Sequence, residues 1–269
     1  MDATTAPAAW QPLTPRGIAA FAHGRLRRLL LVQLIVALLV GITVAWLLHD
    51  GIFPTVTSAI EQLPSKGKIR ATTLDWHGVS PQLLAEGRFL SLAVDLDHSG
   101  TVRSLSHFQI EFGRSNMFIH SLLGYSTTIY PNGWIIEFNR TELEPRWGAW
   151  RPVLLVLTAA AVAAFLVGSW FVLAMIYCGP VWLLGFFANR DLSLPASWKL
   201  SGAALMPGAL AMEVSILFYG LGWLDLVQMG FAFVVHLLLG WGFLVASLFF
   251  VSGVGKARSG MNPFARARK

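Results

Sequence analysis

A chain of 269 residues with only 13% charged side chains lies far below the roughly 25% charge of soluble domains, and its mean hydropathy of +0.60 excludes an ordinary water-soluble domain. Its single cysteine, Cys178, excludes an intramolecular disulfide framework. The net charge of +6 does not point to nucleic acid, because the excess lies in two short tails beside apolar runs, the pattern of orientation charges or of contacts with anionic lipid.

Residues 1–28 read as a tail. Thr14-Pro15 places an N-cap before a proline at the first helical position. It predicts an interfacial helix that runs on into the first span, Leu29–Leu48. At ~1.5 Å per residue that run just crosses a ~30 Å hydrocarbon core. It is longer than a signal-peptide core and no A-x-A site follows, so it reads as an uncleaved anchor.

Residues 49–151 are enough for one small domain. "PTVTSAIEQLP" predicts a short amphipathic helix. "GKIRATTLDW", "GRFLSLAVDL", "HFQIEF", "NMFIHS", "YSTTIY" and "GWIIEF" alternate or are rich in β-branched and aromatic residues, with turn residues between them. An α+β domain dominated by an antiparallel sheet is expected. "DLDHSG", Asp95 to Gly100, matches the opening of an EF-hand loop, but the twelfth position is Ser106 instead of a bidentate glutamate and a strand precedes it. It reads as a turn after a strand. "NRT", Asn139 to Thr141, fits the glycosylation tripeptide; the architecture looks bacterial, so the site is expected to be unused.

The second span is read as 152–177. The apolar run continues to Ala188, too long for one span of ordinary tilt, and "CGP" at 178–180 supplies a break. Residues 178–199 then form an inner interfacial connection. The third span is 200–221, kinked at Pro207, the fourth is 227–251, and 252–269 is a basic tail. Arg16, Arg25, Arg27 and Arg28 precede the first span. Lys256, Arg258, Arg266, Arg268 and Lys269 follow the fourth, whereas residues 49–151 carry ten acidic and nine basic side chains. The positive-inside rule therefore puts both termini in the cytoplasm and 49–151 outside. Trp46, Trp147, Trp150 and Trp223 mark the outer interface, Trp182 and Trp198 the inner.

Two ionisable residues sit inside apolar runs, Glu213 and His236. Counted from the turn between the third and fourth spans, both lie roughly 10–12 Å below the outer end of their helix. Matching depth on neighbouring helices predicts a mutual hydrogen bond or ion pair, with Gln33 a possible third member. The pair reads either as a clasp that fixes the hairpin's register or as a proton relay. Ala160, Ala164 and Gly168 repeat at four-residue spacing, the close-packing face of a helix dimer or a bundle contact.

On "EQLPSKGKIRA", "LSLAVDLDHSGT" and "SWKLSGAALMPGAL", the chain resembles a family of uncharacterised bacterial membrane proteins that includes a member associated with maltodextrin utilisation and is distantly similar to the Yip1-like superfamily. The resemblance implies an N-terminal span, a small outer domain and a C-terminal helical bundle, and it implies no chemistry.

No serine elbow, phosphate loop, metal-ligand spacing or nucleotide signature occurs. The sequence therefore reads as an integral membrane, mainly α protein of the bacterial inner membrane, with four spans and an inserted extracytoplasmic α+β domain. It is expected to be non-enzymatic, with no cofactor, metal or nucleic acid. Its expected partners are the lipid bilayer and other membrane proteins or a second copy of itself. The leading function is an accessory or scaffold subunit whose outer domain binds a partner or ligand. The alternatives are a transporter or proton-coupled component using Glu213 and His236, and an outer-domain enzyme.

Overall fold

The computed structural model describes residues 11–122 and 124–253; the basic residues from Lys256 onward lie outside them. Four stretches are long and apolar enough to cross a membrane. The chain divides into two compact units, residues 1–43 with 159–269, and residues 44–158.

In the helical unit, α1 spans Pro15–His23, with the Thr14 hydroxyl accepting from the Gly17 amide at 3.1 Å. It does not run on into α2 (Leu26–Gly51) as expected. Gly24 is extended and ends it, and the ammonium of Lys199 donates to the freed Gly24 carbonyl at 2.9 Å. The break lets Ile18, Phe21 and Ala22 turn an apolar side onto Leu200, Ala203, Leu244 and Leu248.

The long helix α4 covers Arg140–Phe187 without interruption. The break expected at Cys178–Pro180 is therefore absent, and "VWLLGFF" continues the helix instead of starting a connection. Pro180 leaves the Ile176 carbonyl without its helical donor, a loss of one backbone hydrogen bond that an apolar helix tolerates. The actual stop lies at Asn189, in the left-handed region at φ 56°. There the amides of Asn189 and Arg190 donate to the carbonyls of Phe186 and Gly185, a Schellman closure.

Helix α5 (Leu194–Gly220) begins at the Ser193 cap and contains Pro207. It closes the same way over Gly222 at φ 81°, with Trp223 and Gly222 donating to Phe218 and Tyr219. Helix α6 (Leu226–Leu248) opens on a capping box between Asp225 and Gln228, so the α5–α6 turn falls where the sequence put it. The two helices touch closely. A Cβ added at Gly208 would lie 2.5 Å from the His236 carbonyl oxygen, and one at Gly41 equally close to the Ala159 carbonyl.

The sheet unit holds α3 (Phe53–Glu61) and eight strands. β1 (Gly67–Arg70) and β2 (Thr73–Trp76) come from one stretch read as a single strand. Ala71 and Thr72 turn the chain with positive φ of 50° and 64°, the demand of a two-residue hairpin turn. β8 (Ile135–Glu137) completes a three-stranded sheet in the order β2-β1-β8. The second sheet runs β3-β4-β5-β6-β7, with β3 Gln82–Glu86, β4 Leu90–Val94, β5 Phe108–Phe112, β6 Asn116–Ser121 and β7 Gly124–Ile129. All pairs are antiparallel except β4 and β5, which are parallel. β3 was not expected. Its Gln-Leu-Leu-Ala-Glu composition favours helix, and pairing with β4 overrides that preference. Leu90, Leu92 and Val94 share the core with Ala59 and Ile60 of α3 and with Leu63 just beyond its end.

Candidate functional sites

Period-2 alternation puts Gln109 and Glu111 of β5 on the face opposite Ile110 and Phe112. The register sets His120 beside Gln109 and Phe118 beside Glu111. Open to water, such a face needs no explanation. Here residues 95–107, the connection between the parallel strands, lie across it. Gln109 accepts from the Ser104 amide at 3.0 Å and donates to the Val102 carbonyl at 2.5 Å. The Ser104 hydroxyl donates to Glu86 at 2.6 Å.

The centre of this polar layer is Glu111, whose side chain is fully buried. His98 Nδ1 lies 2.5 Å from its Oε1 and donates there, since a carboxylate only accepts. Its Oε2 has no hydrogen-bond partner and lies 3.6 Å from His120 Nε2. The two imidazoles are parallel with centroids 6.1 Å apart, and His98 stacks on Phe118 at 4.2 Å. Burial, and next the Arg103 guanidinium 2.8 Å from its Nε2, hold the His120 pKa below the usual histidine value against the pull of Glu111. His107 is lowered by burial and by Arg88. Burial raises the pKa of Tyr130, whose hydroxyl donates to the Gly113 carbonyl.

Among the described residues neither His98 nor His120 bonds to a hydroxyl. Ser99 instead donates to Asp95 at 2.7 Å, and the Gly100 amide donates to the same carboxylate oxygen. Asp97 pairs with Arg114 at 3.0 Å, so the EF-hand-like acids serve the turn. Among the described residues no group of three His, Cys, Asp or Glu side chains could hold a metal ion. Asn139 is buried. It caps α4 through the Glu142 amide and donates to the Gly67 carbonyl, which withdraws it from glycosylation chemistry.

The sheet unit also contains an apolar cavity of about 390 Å³ between α3, the sheet and the first turns of α4. Its walls include Leu63, Leu84, Ile110 and Phe138, and α4 contributes Arg146, Trp147 and Trp150. Its size falls in the range of small-molecule sites.

In the helical unit, Glu213 and His236 do not bond to each other. The Thr43 hydroxyl of α2 donates to Glu213 Oε1, and His236 Nδ1 donates to the Phe233 carbonyl on its own helix. Equal depth fixes height along two helices but not azimuth, and the Glu213 side chain turns toward α2. Gln33 is separate too, donating to the Gly202 carbonyl at 3.3 Å. What Glu213 and His236 share is a cavity of about 200 Å³, lined also by Trp170, Tyr177, Ser201 and Trp241. Glu213 Oε2 and the Ser201 hydroxyl have no hydrogen-bond partner there. The clasp expected between Glu213 and His236 is therefore absent, and one Glu213 oxygen is left without a hydrogen-bond partner beside the cavity.

Of the two contacts expected of the small-residue face of α4, a helix dimer or a bundle contact, the chain's own helices do not supply the second. Ala160, Ala164 and Gly168 are exposed within the chain, while Ala163, Trp170 and Ala174 are buried. The alanine-rich run satisfies the small-residue spacing in several registers at once.

The sequence reading missed the His98–Glu111–His120 cluster. Alternation in "HFQIEF" marks a polar face, but its burial depends on where residues 95–107 go. No protein-family model, curated protein or solved structure matches the chain.

Proposed function

We propose that the protein is a non-enzymatic accessory or scaffold component of a membrane assembly, whose extracytoplasmic sheet unit recognises an apolar ligand or partner segment. The observation that carries this reading is the apolar cavity of about 390 Å³ in the sheet unit. Its walls are apolar apart from Arg146, which favours apolar occupants. Among the described residues the histidines beside Glu111 bond to no hydroxyl, which weighs against a hydrolase.

The same proposal places the four apolar stretches in a bacterial cytoplasmic membrane with both termini inside. The support is the clustering of arginine before α2 and of lysine and arginine after α6. Kinship with the maltodextrin-associated family belongs to the proposal at the level of architecture only.

The test is purification of the full chain in a mild detergent, followed by native mass spectrometry. A bound amphiphile or a stoichiometric partner is expected. Ala59→Phe, which fills the cavity from α3, should release it while thermal unfolding stays cooperative. Retention of the same bound species by a folded Ala59→Phe protein would remove the reading.

A second reading, a transporting or proton-coupled component, is favoured by one observation. Glu213 borders a cavity with an unpartnered oxygen instead of being closed off by His236.

A further inference from the structure

Glu213 is 3% exposed. One carboxylate oxygen accepts from Thr43 and the other has no partner. Across the same cavity stand the aromatic side chains Trp170, Tyr177 and Trp241, with Tyr177 and Trp241 in contact at 5.0 Å between ring centroids. The remaining walls are aliphatic apart from Ser201 and His236. A buried acid facing aromatic rings is half of a recognition problem. The missing half is a positive charge that needs few hydrogen bonds.

We propose that this cavity is a binding site for a monovalent lipophilic organic cation, an ammonium with apolar substituents. Glu213 is its counter-ion, and the faces of Trp170, Tyr177 and Trp241 hold the substituents and the diffuse charge by cation–π attraction. An inorganic ion fits poorly. Sodium, potassium or calcium must replace its water with several oxygen ligands, and the cavity offers little beyond one carboxylate oxygen and one hydroxyl. A substituted ammonium carries its own apolar shell and asks for one counter-charge. His236 donates from Nδ1 to the Phe233 carbonyl of its own helix and makes no pair with Glu213.

This inference shares its cavity with the transport reading and rests on it only that far, since it requires binding and not flux. The experiment is isothermal titration of the purified full chain in detergent with benzyltrimethylammonium. Neopentylbenzene, its neutral isostere, serves as competitor. Saturable binding is expected, with no competition from the isostere. Glu213→Gln, which keeps the shape and the acceptor for Thr43, should weaken binding by at least about tenfold, as for loss of a buried charge partner. Trp241→Leu should weaken it by about threefold or more, with unfolding temperature checked for both.

No saturable binding to folded wild-type protein would overturn the site. Equal binding by Glu213→Gln would do the same, as would competition by the isostere at matched concentration. If Glu213→Gln does not fold, Trp241→Leu and the isostere still decide. In proteoliposomes, binding without uptake of the cation keeps the site and ends the transport reading. Uptake that persists in Glu213→Gln ends the site.

Discussion

The Thr43 hydroxyl donates to Oε1 of Glu213, so the only acid of α5 is tied to α2 and not to α6. With Gln33 donating to Gly202, the two helices run parallel and carry two polar latches along one seam. In an apolar setting such contacts set which helix faces which, since there is little hydrophobic gain to do it.

A double-mutant cycle in an SDS unfolding assay tests that partnership. Thr43→Val and Glu213→Ala should be coupled by about 0.6–1.7 kcal/mol, the span measured for interhelical hydrogen bonds in bilayers. Glu213→Ala and His236→Ala should add within about 0.5 kcal/mol. The opposite pattern would restore the Glu213–His236 pair.

Gly208 packs on a backbone carbonyl that cannot move aside without shifting α6. Gly208→Ala should therefore destabilise by about 1–3 kcal/mol through overpacking. Gly242 has open space where its Cβ would be, and Gly242→Ala should be neutral or stabilising by up to about 1 kcal/mol. Equal effects at the two positions, measured by thermal unfolding, would refute the close crossing.

The end of α4 is set at Asn189 and not at Pro180. Asn189→Gly should be tolerated, because glycine takes the left-handed conformation freely. Asn189→Val should lose about 1–2 kcal/mol. Pro180→Ala should leave helix content unchanged or slightly raised by circular dichroism; a longer helix appearing on that change would mean that proline had been ending it.

The sheet unit should weaken in mild acid. His107 and His120 have folded-state pKa values below the ordinary histidine value. The unfolded chain therefore binds more protons than the folded one as pH falls through about 6.5. The stabilisation is fully present above that pH and is lost below it. Protection factors of the β5 and β6 amides, with the intrinsic pH dependence of exchange divided out, should fall between pH 7.5 and 5.5, and His120→Gln should flatten the response. An unchanged slope in that variant would show that His120 does not carry it.

Much of this was legible in the residues. Thr14-Pro15 announced a helix start, the apolar runs announced four long helices, and six of the strand stretches formed strands. What failed shares a cause, since each failure concerned a choice that local pattern leaves open. Pro180 weakens a helix without ending it when the following residues remain apolar and helical. Ala71-Thr72 carries no glycine or asparagine to announce a turn. From Thr158 to Ala164 nearly every residue of α4 is small, so spacing alone does not say which side packs within the chain. For Glu213 the unread variable was azimuth. The polar layer around Glu111 was hidden for another reason, because its burial depends on the path of the irregular segment 95–107, which no periodicity announces.

The parallel seam between β4 and β5 has a consequence for how the sheet unit assembles. The β3–β4 pair and the β5–β6–β7 meander each join strands through short connections, so each can form by local search. The seam between them cannot close as a hairpin. It must wait until residues 95–107 have doubled back and placed their polar groups on Gln109 and Glu111. The entropy of that closure comes due before any pairing rewards it. Substitutions in the connection should therefore slow refolding, whereas changes in β7 should mainly speed unfolding.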